Sequence, residues 1–243
     1  MRPAGRLGVG VVGAGRVGAV LGAALGGAGH AVVGVSAVSE SSRERADALL
    51  PGVPVLPVPQ VVERSELVLL AVPDAELPSL VQGLADVGAW VAGQLVVHTA
   101  PGRGVDVLAP AAAAGAIPLA LSPAMVFTGT SLDLVRLRDA WCAVTAPSPV
   151  LPIAQALAVE MGAEPVVVAE EERPAWAALA LVTERIGGTV EAATAALRAQ
   201  GVPDPSRVLG PVARSALDAA LARAAQPPAP ILDLRTEPRD EES

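Results

Sequence analysis

Three glycines near the start of the chain, Gly13, Gly15 and Gly18, have the spacing of a turn that binds a dinucleotide. A Val-rich stretch over residues 9–12 precedes them, and a helical pattern of apolar residues follows directly. In such a turn the first glycine permits the bend, the second lets the backbone approach a diphosphate, and the third lets the helix pack on the strand. The diphosphate then lies at the positive end of the helix dipole. The residues predicted to bind it are Gly13, Ala14, Gly15, Arg16, Val17 and Gly18.

The loop after the predicted second strand indicates which nicotinamide dinucleotide this turn would accept. A carboxylate there would bind the ribose 2′-hydroxyl of NAD. The loop contains mainly hydroxyl side chains and arginines, which favours the 2′-phosphate of NADP, although Glu40 leaves NAD open. The same serines have a second interpretation, in which Ser41 or Ser39 caps the next helix. The residues assigned to this end of the cofactor are Ser36, Ser39 and Arg43.

Further polar residues follow the next two predicted strands. Ligands of an open α/β sheet bind beyond the carboxyl ends of its strands, so Val72, Pro73, Asp74 and Thr99 are expected to flank the cofactor. Asp74 could instead cap a helix. His98 precedes Thr99 and would face the nicotinamide, either as a proton donor or as a contact for the carboxamide. A purely structural role is the alternative for a lone histidine.

Candidate substrate residues lie further along the chain. A polar loop over residues 122–130 either lines a substrate pocket or only turns the chain. Ser122 and Glu184 join His98 as candidate catalytic residues. Residues that could help to position a substrate are Arg103, Thr128 and Thr183. Histidine and cysteine are too sparse to predict a metal site.

The composition of the 243 residues excludes several kinds of chemistry. The chain contains no Lys, Tyr or Asn, so none of these can catalyse. A net charge of −8 argues against nucleic acid or an anionic membrane as a partner. A single cysteine, Cys142, and the absence of a long apolar run predict a soluble, cytoplasmic protein. His30, beside a helix end, is expected to cap that helix.

Apolar runs that alternate with helical patterns predict an α/β fold. We expect a doubly wound, mostly parallel Rossmann sheet over residues 1–168, including a short strand within 53–59. A small all-α C-terminal domain follows over 169–225, and 226–243 is expected to be a disordered, Pro-rich acidic tail. The C-terminal helices carry an apolar seam from Trp176 to Leu197, which predicts a homodimer through these helices.

Four segments together resemble one protein family: GVVGAGRVG, LAVPD, VVHTAPGRG and LALSPAMVFTGT, in that order. It is a Rossmann-like family of largely uncharacterised proteins with a helical C-terminal domain of unknown function. Its superfamily is 6-phosphogluconate dehydrogenase-like and includes pyrroline-carboxylate reductase, ketopantoate reductase and deazaflavin-dependent NADP oxidoreductases. The resemblance covers about residues 6–222 and implies NADP-dependent reduction, with a helical domain that completes the active site, often across a dimer.

The chain departs from the family pattern at the substrate side. Ser122 stands where relatives usually have histidine. Relatives often carry His and Asn on the first C-terminal helix, where the matching stretch of this chain is Trp176-Ala177 and then Glu184-Arg185. We therefore carry two hypotheses in which the protein binds a dinucleotide, and a third in which it binds no nucleotide. The first is an NAD(P)-dependent oxidoreductase, with NADP(H) favoured, that moves hydride to or from a small carbonyl, imine or deazaflavin-type acceptor. The alternative is a non-catalytic dinucleotide-binding sensor or partner protein with an eroded substrate site. Because Lys and Tyr are missing, an acceptor that carries its own charge or conjugation is favoured over a plain ketone.

Overall fold

A computed structural model describes residues 6–226 of the chain, and the predicted acidic tail lies outside them except for Gln226. Seven strands are formed: β1 (Gly8–Val12), β2 (Ala31–Ser36), β3 (Leu67–Leu70), β4 (Leu95–His98), β5 (Ile117–Pro123), β6 (Trp141–Thr145) and β7 (Glu164–Val167). The α-helices are α1 (Arg16–Gly27), α2 (Glu40–Leu49), α3 (Val58–Glu63), α4 (Leu77–Asp86), α5 (Ala109–Ala113), α6 (Leu132–Arg136), α7 (Leu151–Glu160), α8 (Arg173–Ala177), α9 (Leu179–Ala199) and α10 (Pro205–Ala224).

The strands form one sheet in the order β2-β1-β3-β4-β5-β6-β7. All neighbouring pairs are parallel except β5 and β6, which run antiparallel. This confirms the predicted α/β class with a doubly wound, mostly parallel sheet. Strands β1, β3 and β4 are buried along their whole length, which explains why they are nearly continuous apolar runs.

Apolar side chains cover both faces of the sheet. Val9 and Val11 of β1 belong to one buried cluster, together with residues of α1 and α7. Val12 belongs to a second cluster, with residues of α3, α4 and α5. Since successive strand residues point to opposite faces, the helices lie on the two sides of the sheet. The loops that follow the parallel strands β1 to β4 meet at the carboxyl edge of this sheet.

One predicted strand is wrong. Within residues 53–59 only Val55 pairs, by an isolated bridge to Val35 of β2. Pro54, Pro57 and Pro59 have no N–H to donate, so the segment cannot extend a ladder of hydrogen bonds. Helix α3 instead begins at Val58.

The chain divides into two compact units between Leu181 and Val182. The first unit contains the sheet, and the second contains most of α9 together with α10. Helix α9 continues through Gly187 and Gly188 without interruption. The predicted domain boundary after residue 168 stays a prediction. Among residues 6–226, no helix is both long and apolar enough to cross a membrane.

Candidate functional site

The glycine turn joins β1 to α1 with the geometry that its spacing predicts. Gly13 has a φ of +95°, and a Cβ there would lie 2.7 Å from the carbonyl oxygen of Ala71. A Cβ on Gly18 would lie 2.0 Å from the carbonyl oxygen of Gly13, so the helix packs directly on the turn. Gly15 differs, because no atom lies within 4 Å of the position its Cβ would take. The turn is therefore closed toward the protein at Gly13 and Gly18 and open toward solvent at Gly15.

The end of β2 holds this turn in place. The Gly13 N–H donates to Ser36 Oγ at 3.0 Å, and the Ala14 N–H donates to the Ser36 carbonyl at 2.9 Å. No side chain caps the start of α1, where Gly15 is the N-cap residue. The first turn of α1 thus offers backbone N–H groups and the positive end of the helix dipole to a ligand.

Ser39 caps α2, and its Oγ accepts a hydrogen bond from the Ser42 N–H at 3.1 Å. The interpretation with Ser41 as the cap is wrong, because α2 begins at Glu40 and Ser41 lies inside the helix. Arg43 is exposed on α2. Arg45 extends toward the glycine turn, where its Nη1 donates to the Ala14 carbonyl at 3.2 Å.

A cleft of about 770 Å³ lies at the carboxyl edge of the sheet, beside the glycine turn. It is within the size range of small-molecule sites. It brings together several predicted cofactor residues, namely Gly13, Ala14, Gly15, Ser36, Ser39, Val72 and Pro73. The other predicted cofactor residues are not part of its lining: Arg16, Val17, Gly18, Arg43, Asp74 and Thr99. On the β2–α2 side the lining residues carry hydroxyl and apolar side chains and no carboxylate.

A second cavity of about 840 Å³ lies between α4 and the loop over residues 102–107, and the two cavities share Ser79. Arg103 is the cation in its lining. The Glu170 carboxylate accepts the backbone N–H groups of Val105 at 2.9 Å and Asp106 at 3.1 Å. Burial raises the pKa of Asp74, and the positive charge of Arg103 offsets only part of this rise. Of these charged groups, Arg103 lines the cavity and could contact a polar substrate, whereas Asp74 is not part of its lining.

His98 is fully buried at the end of β4. Its Nδ1 accepts a hydrogen bond from the Ala100 N–H at 3.2 Å, so the ring proton is on Nε2, which donates to the Gly104 carbonyl at 2.8 Å. Both ring nitrogens are therefore occupied within the protein. Burial lowers the pKa of His98 to about 4, although the Gly104 bond opposes this shift, and the charges of Arg173 and Arg103 lower the pKa further. This geometry fits a residue that shapes the loop over 99–104 better than a proton donor.

Ser122 lies beside a buried arginine that the sequence analysis did not identify. Arg173 is fully buried at the start of α8. Its guanidinium donates to Ser122 Oγ at 3.1 Å, to Thr145 Oγ1 at 2.7 Å and to the Ala120 carbonyl at 2.7 Å. The Ser122 hydroxyl lies 3.2 Å from the Thr99 carbonyl and 3.3 Å from the Ala100 carbonyl, to which it can donate. An arginine that follows three glutamates looks like a surface residue, so no local pattern identifies Arg173.

The polar loop after β5 folds around Asp133. The Asp133 carboxylate accepts three hydrogen bonds: one from the Thr128 hydroxyl at 2.9 Å, one from the Thr128 N–H at 2.7 Å and one from the Gly129 N–H at 2.8 Å. Burial alone would raise the pKa of Asp133, but hydrogen bonds from Gly129, Thr128 and Thr130 outweigh it and lower that pKa. The Thr128 hydroxyl thus forms its hydrogen bond within the loop. The loop over residues 122–130 therefore fits a turn in the chain better than the lining of a substrate pocket.

Two further predicted residues have other surroundings. The side chain of His30 does not cap a helix: its Nδ1 accepts the Leu7 N–H at 3.2 Å, and its Nε2 lies 2.8 Å from a Glu160 carboxylate oxygen. Glu184 is exposed on α9 in the second unit, as is Thr183, so their roles stay predictions. No group of three His, Cys, Asp or Glu side chains suited to a metal occurs in residues 6–226.

The buried state of His98 predicts a pH dependence of stability. In the unfolded chain His98 has a pKa near 6.5, so between pH 6.5 and about 4 the unfolded chain binds a proton that the folded protein does not. The contribution of neutral His98 to the free energy of unfolding is fully present above pH 6.5. We expect the free energy of unfolding to fall by about 3 kcal/mol as the pH is lowered from 6.5 to 4. Urea unfolding at a series of pH values measures this loss, and His98→Gln is expected to make the slope shallower. An equal pH dependence of the free energy of unfolding in the two proteins would contradict the lowered pKa of His98.

Two protein families match the chain. The Rossmann-like domain matches residues 1–123, and a domain of unknown function, DUF2520, matches residues 140–228. No curated protein matches it.

Three solved structures illustrate the fold similarity, each at 18% identity. A candidate NADP oxidoreductase from Bacteroides fragilis has a TM-score of 0.73 over 88% of this chain and 81% of its own. A 1-pyrroline-5-carboxylate reductase from Streptococcus pyogenes has a TM-score of 0.64 over 93% and 82%. A reductive aminase from Aspergillus terreus has a TM-score of 0.64 over 90% and 76%.

Proposed function

Because the chain belongs to the family of Rossmann-like proteins and carries the DUF2520 domain, we propose that it is an oxidoreductase that binds a nicotinamide dinucleotide. The observation that carries this proposal is the cleft where the open Gly15, the uncapped start of α1 and the ends of β2 and β3 meet. A diphosphate needs such a combination of close backbone approach and free N–H groups. When bound there, the nicotinamide supplies or accepts a hydride.

The cofactor that we propose is NADP(H), with NAD(H) as the alternative. The lining on the β2–α2 side of the cleft contains no carboxylate, which favours NADP(H), while Glu40 at the start of α2 keeps NAD(H) as the alternative. Ser39 and Ser42 line this side, and Arg43 lies on the same helix. Hydroxyls and a guanidinium suit a 2′-phosphate, because a charged phosphate accepts strong hydrogen bonds from such donors.

The acceptor that we propose is a small imine or a deazaflavin-type ring rather than a plain ketone. Reduction of a ketone needs a proton for the developing alkoxide. His98 and Ser122 are both engaged in hydrogen bonds within the protein, so neither is suited to supply it. Arg103 lines the second cavity and can contact a polar substrate. The names of the two similar reductases, a reductive aminase and a pyrroline-carboxylate reductase, agree with an imine acceptor.

The cofactor cleft, together with the burial of His98 and Ser122, favours a second candidate function. This is a non-catalytic dinucleotide-binding sensor or partner protein. The cofactor side has the groups that binding requires, whereas the two candidate catalytic residues of the first unit, His98 and Ser122, are buried. A protein that only reports the bound dinucleotide needs no proton donor. Turnover is what separates this candidate from the enzyme.

Calorimetric titration with NADPH and NADH tests the proposal. We expect NADPH to bind, and to bind more tightly than NADH. Hydride transfer is then followed by NADPH absorbance across a panel of imines, carbonyls and a deazaflavin. Binding with oxidation of NADPH by an imine or deazaflavin supports the enzyme. Binding without oxidation of NADPH by any acceptor supports the sensor, and failure of both nucleotides to bind contradicts both candidates.

We also propose that the protein forms a homodimer through α9 and α10. Apolar side chains of these helices are exposed in the second unit, for example Ile186, Val190, Val212 and Leu221. An apolar cavity of about 420 Å³ lies between the two helices. Large exposed apolar patches mark interaction sites. A mass of one chain in sedimentation equilibrium would contradict the dimer.

A cytoplasmic location stays a prediction from the composition.

A further inference from the structure

The turn over Thr128–Gly129–Thr130 packs against the two arginines that flank the glycine turn. Gly129 is buried, with a φ of +79°. A Cβ there would lie 2.9 Å from Arg45 Cδ, 3.1 Å from Arg16 Cγ and 3.2 Å from Arg16 Cα. The first distance is shorter than real Cβ contacts and the other two are tighter than most, so a side chain at position 129 would displace the arginine side chains in addition to straining the backbone. The turn and the arginines form one packed group.

A buried carboxylate makes this turn rigid. Asp133 is fully buried and accepts two backbone N–H groups and the Thr128 hydroxyl, all within 2.9 Å. Hydrogen bonds to a charged acceptor are the strong ones, so the turn has one defined conformation before any ligand arrives. Its contact with Arg16 and Arg45 is therefore preorganised.

The two arginines bring positive charge to the glycine turn. Arg16 is the first residue of α1 and directly follows Gly15, whose Cβ direction is open. Arg45 Nη1 donates to the Ala14 carbonyl inside the turn. Neither arginine forms an ion pair with the carboxylates of residues 6–226, although the protein has a net charge of −8. Two cations without an acidic partner beside free helix N–H groups are suited to an anion with more than one charge.

We propose that the turn over residues 128–130, anchored by Asp133, is part of the dinucleotide site and holds Arg16 and Arg45 in place for the diphosphate. This inference rests on the proposed function. Gly129 and Asp133 are positioning residues, because they act through the arginines and need not touch the ligand. The turn thereby gives the loop after β5 a role on the cofactor side of the protein.

The test compares two glycines with the same backbone strain. Gly129 and Gly93 both have a φ of +79°, but no atom lies within 4 Å of a Cβ on Gly93. Gly129→Ala thus adds strain and displaces the arginines, whereas Gly93→Ala adds strain alone. Binding of NADPH and of 2′-AMP, which lacks the diphosphate, is measured by calorimetry for both variants and the unchanged protein.

We expect Gly129→Ala to weaken NADPH binding about tenfold or more, as loss of charged contacts to a diphosphate would. Binding of 2′-AMP is expected to be unchanged, and Gly93→Ala is expected to change neither. Equal NADPH affinity in the two variants, or equal loss of NADPH and 2′-AMP binding in Gly129→Ala, would overturn the inference. Failure of the unchanged protein to bind NADPH would instead remove the proposed function itself.

A second variant keeps the test usable if Gly129→Ala does not fold. Arg16→Gln removes one cation from an exposed position and leaves the turn over 128–130 unchanged. We expect weaker NADPH binding with a smaller dependence on salt, because fewer ionic contacts are screened. NADPH affinity and salt dependence equal to those of the unchanged protein would overturn the role of Arg16, and with it the inference.

Discussion

Gly18→Ala is expected to weaken NADPH binding more than about 100-fold and to lower the free energy of unfolding. The added methyl group would lie 2.0 Å from the Gly13 carbonyl oxygen and 2.9 Å from the Ala71 Cβ. Both are parts of the tightly packed strand ends, so α1 itself must move away from the sheet. That movement carries the N–H groups of its first turn out of position for a diphosphate. Calorimetric titration and thermal unfolding measure the two effects.

Two other glycines separate ligand approach from packing. Gly15→Ala meets no protein atom within 4 Å and has an ordinary extended backbone, so we expect unchanged stability but much weaker NADPH binding. Gly27→Ala, at the other end of α1, also meets no atom and is expected to leave binding unchanged while stabilising the helix slightly. If Gly15→Ala bound NADPH as tightly as the unchanged protein, the cleft would not be the diphosphate site.

Arg173→Met is expected to lower the free energy of unfolding by about 3 kcal/mol. The guanidinium joins the antiparallel strands β5 and β6 to α8 through Ser122, Thr145 and the Ala120 carbonyl. Burial lowers the pKa of Arg173 to about 10, so the side chain remains charged at neutral pH. Methionine fills a similar volume but leaves these buried oxygens without their donors, and an unsatisfied buried polar group is costly.

Urea unfolding measures the effect, with Arg138→Met as the control. Arg138 is exposed, and a surface substitution of this kind is expected to change stability by less than about 0.5 kcal/mol. Equal stability of Arg173→Met and the unchanged protein would show that the buried charge costs as much as its hydrogen bonds contribute.

Local patterns were sufficient for most of the fold. The apolar runs of β1, β3 and β4 and the helical periodicity of α1 depend on nearest neighbours, so they can be read along the chain. The strand expected within residues 53–59 was wrong because prolines oppose a ladder there even though valines favour a strand. Strand β6 runs antiparallel to β5 because the segment over 124–140 joins the two strands at one edge of the sheet without a crossover, which no short-range pattern records.

The sequence by itself determined the glycine turn. Gly13, Gly15 and Gly18 lie within six residues, so their spacing is sufficient to predict the geometry of the turn. Only the tertiary structure decided what the candidate catalytic residues can do. His98 and Ser122 were placed correctly at strand ends, but their hydrogen-bond partners come from Gly104 and from Arg173, which lies 51 residues beyond Ser122. The orientation of a polar side chain depends on which donors and acceptors surround it after folding, and those partners are brought together by distant parts of the chain.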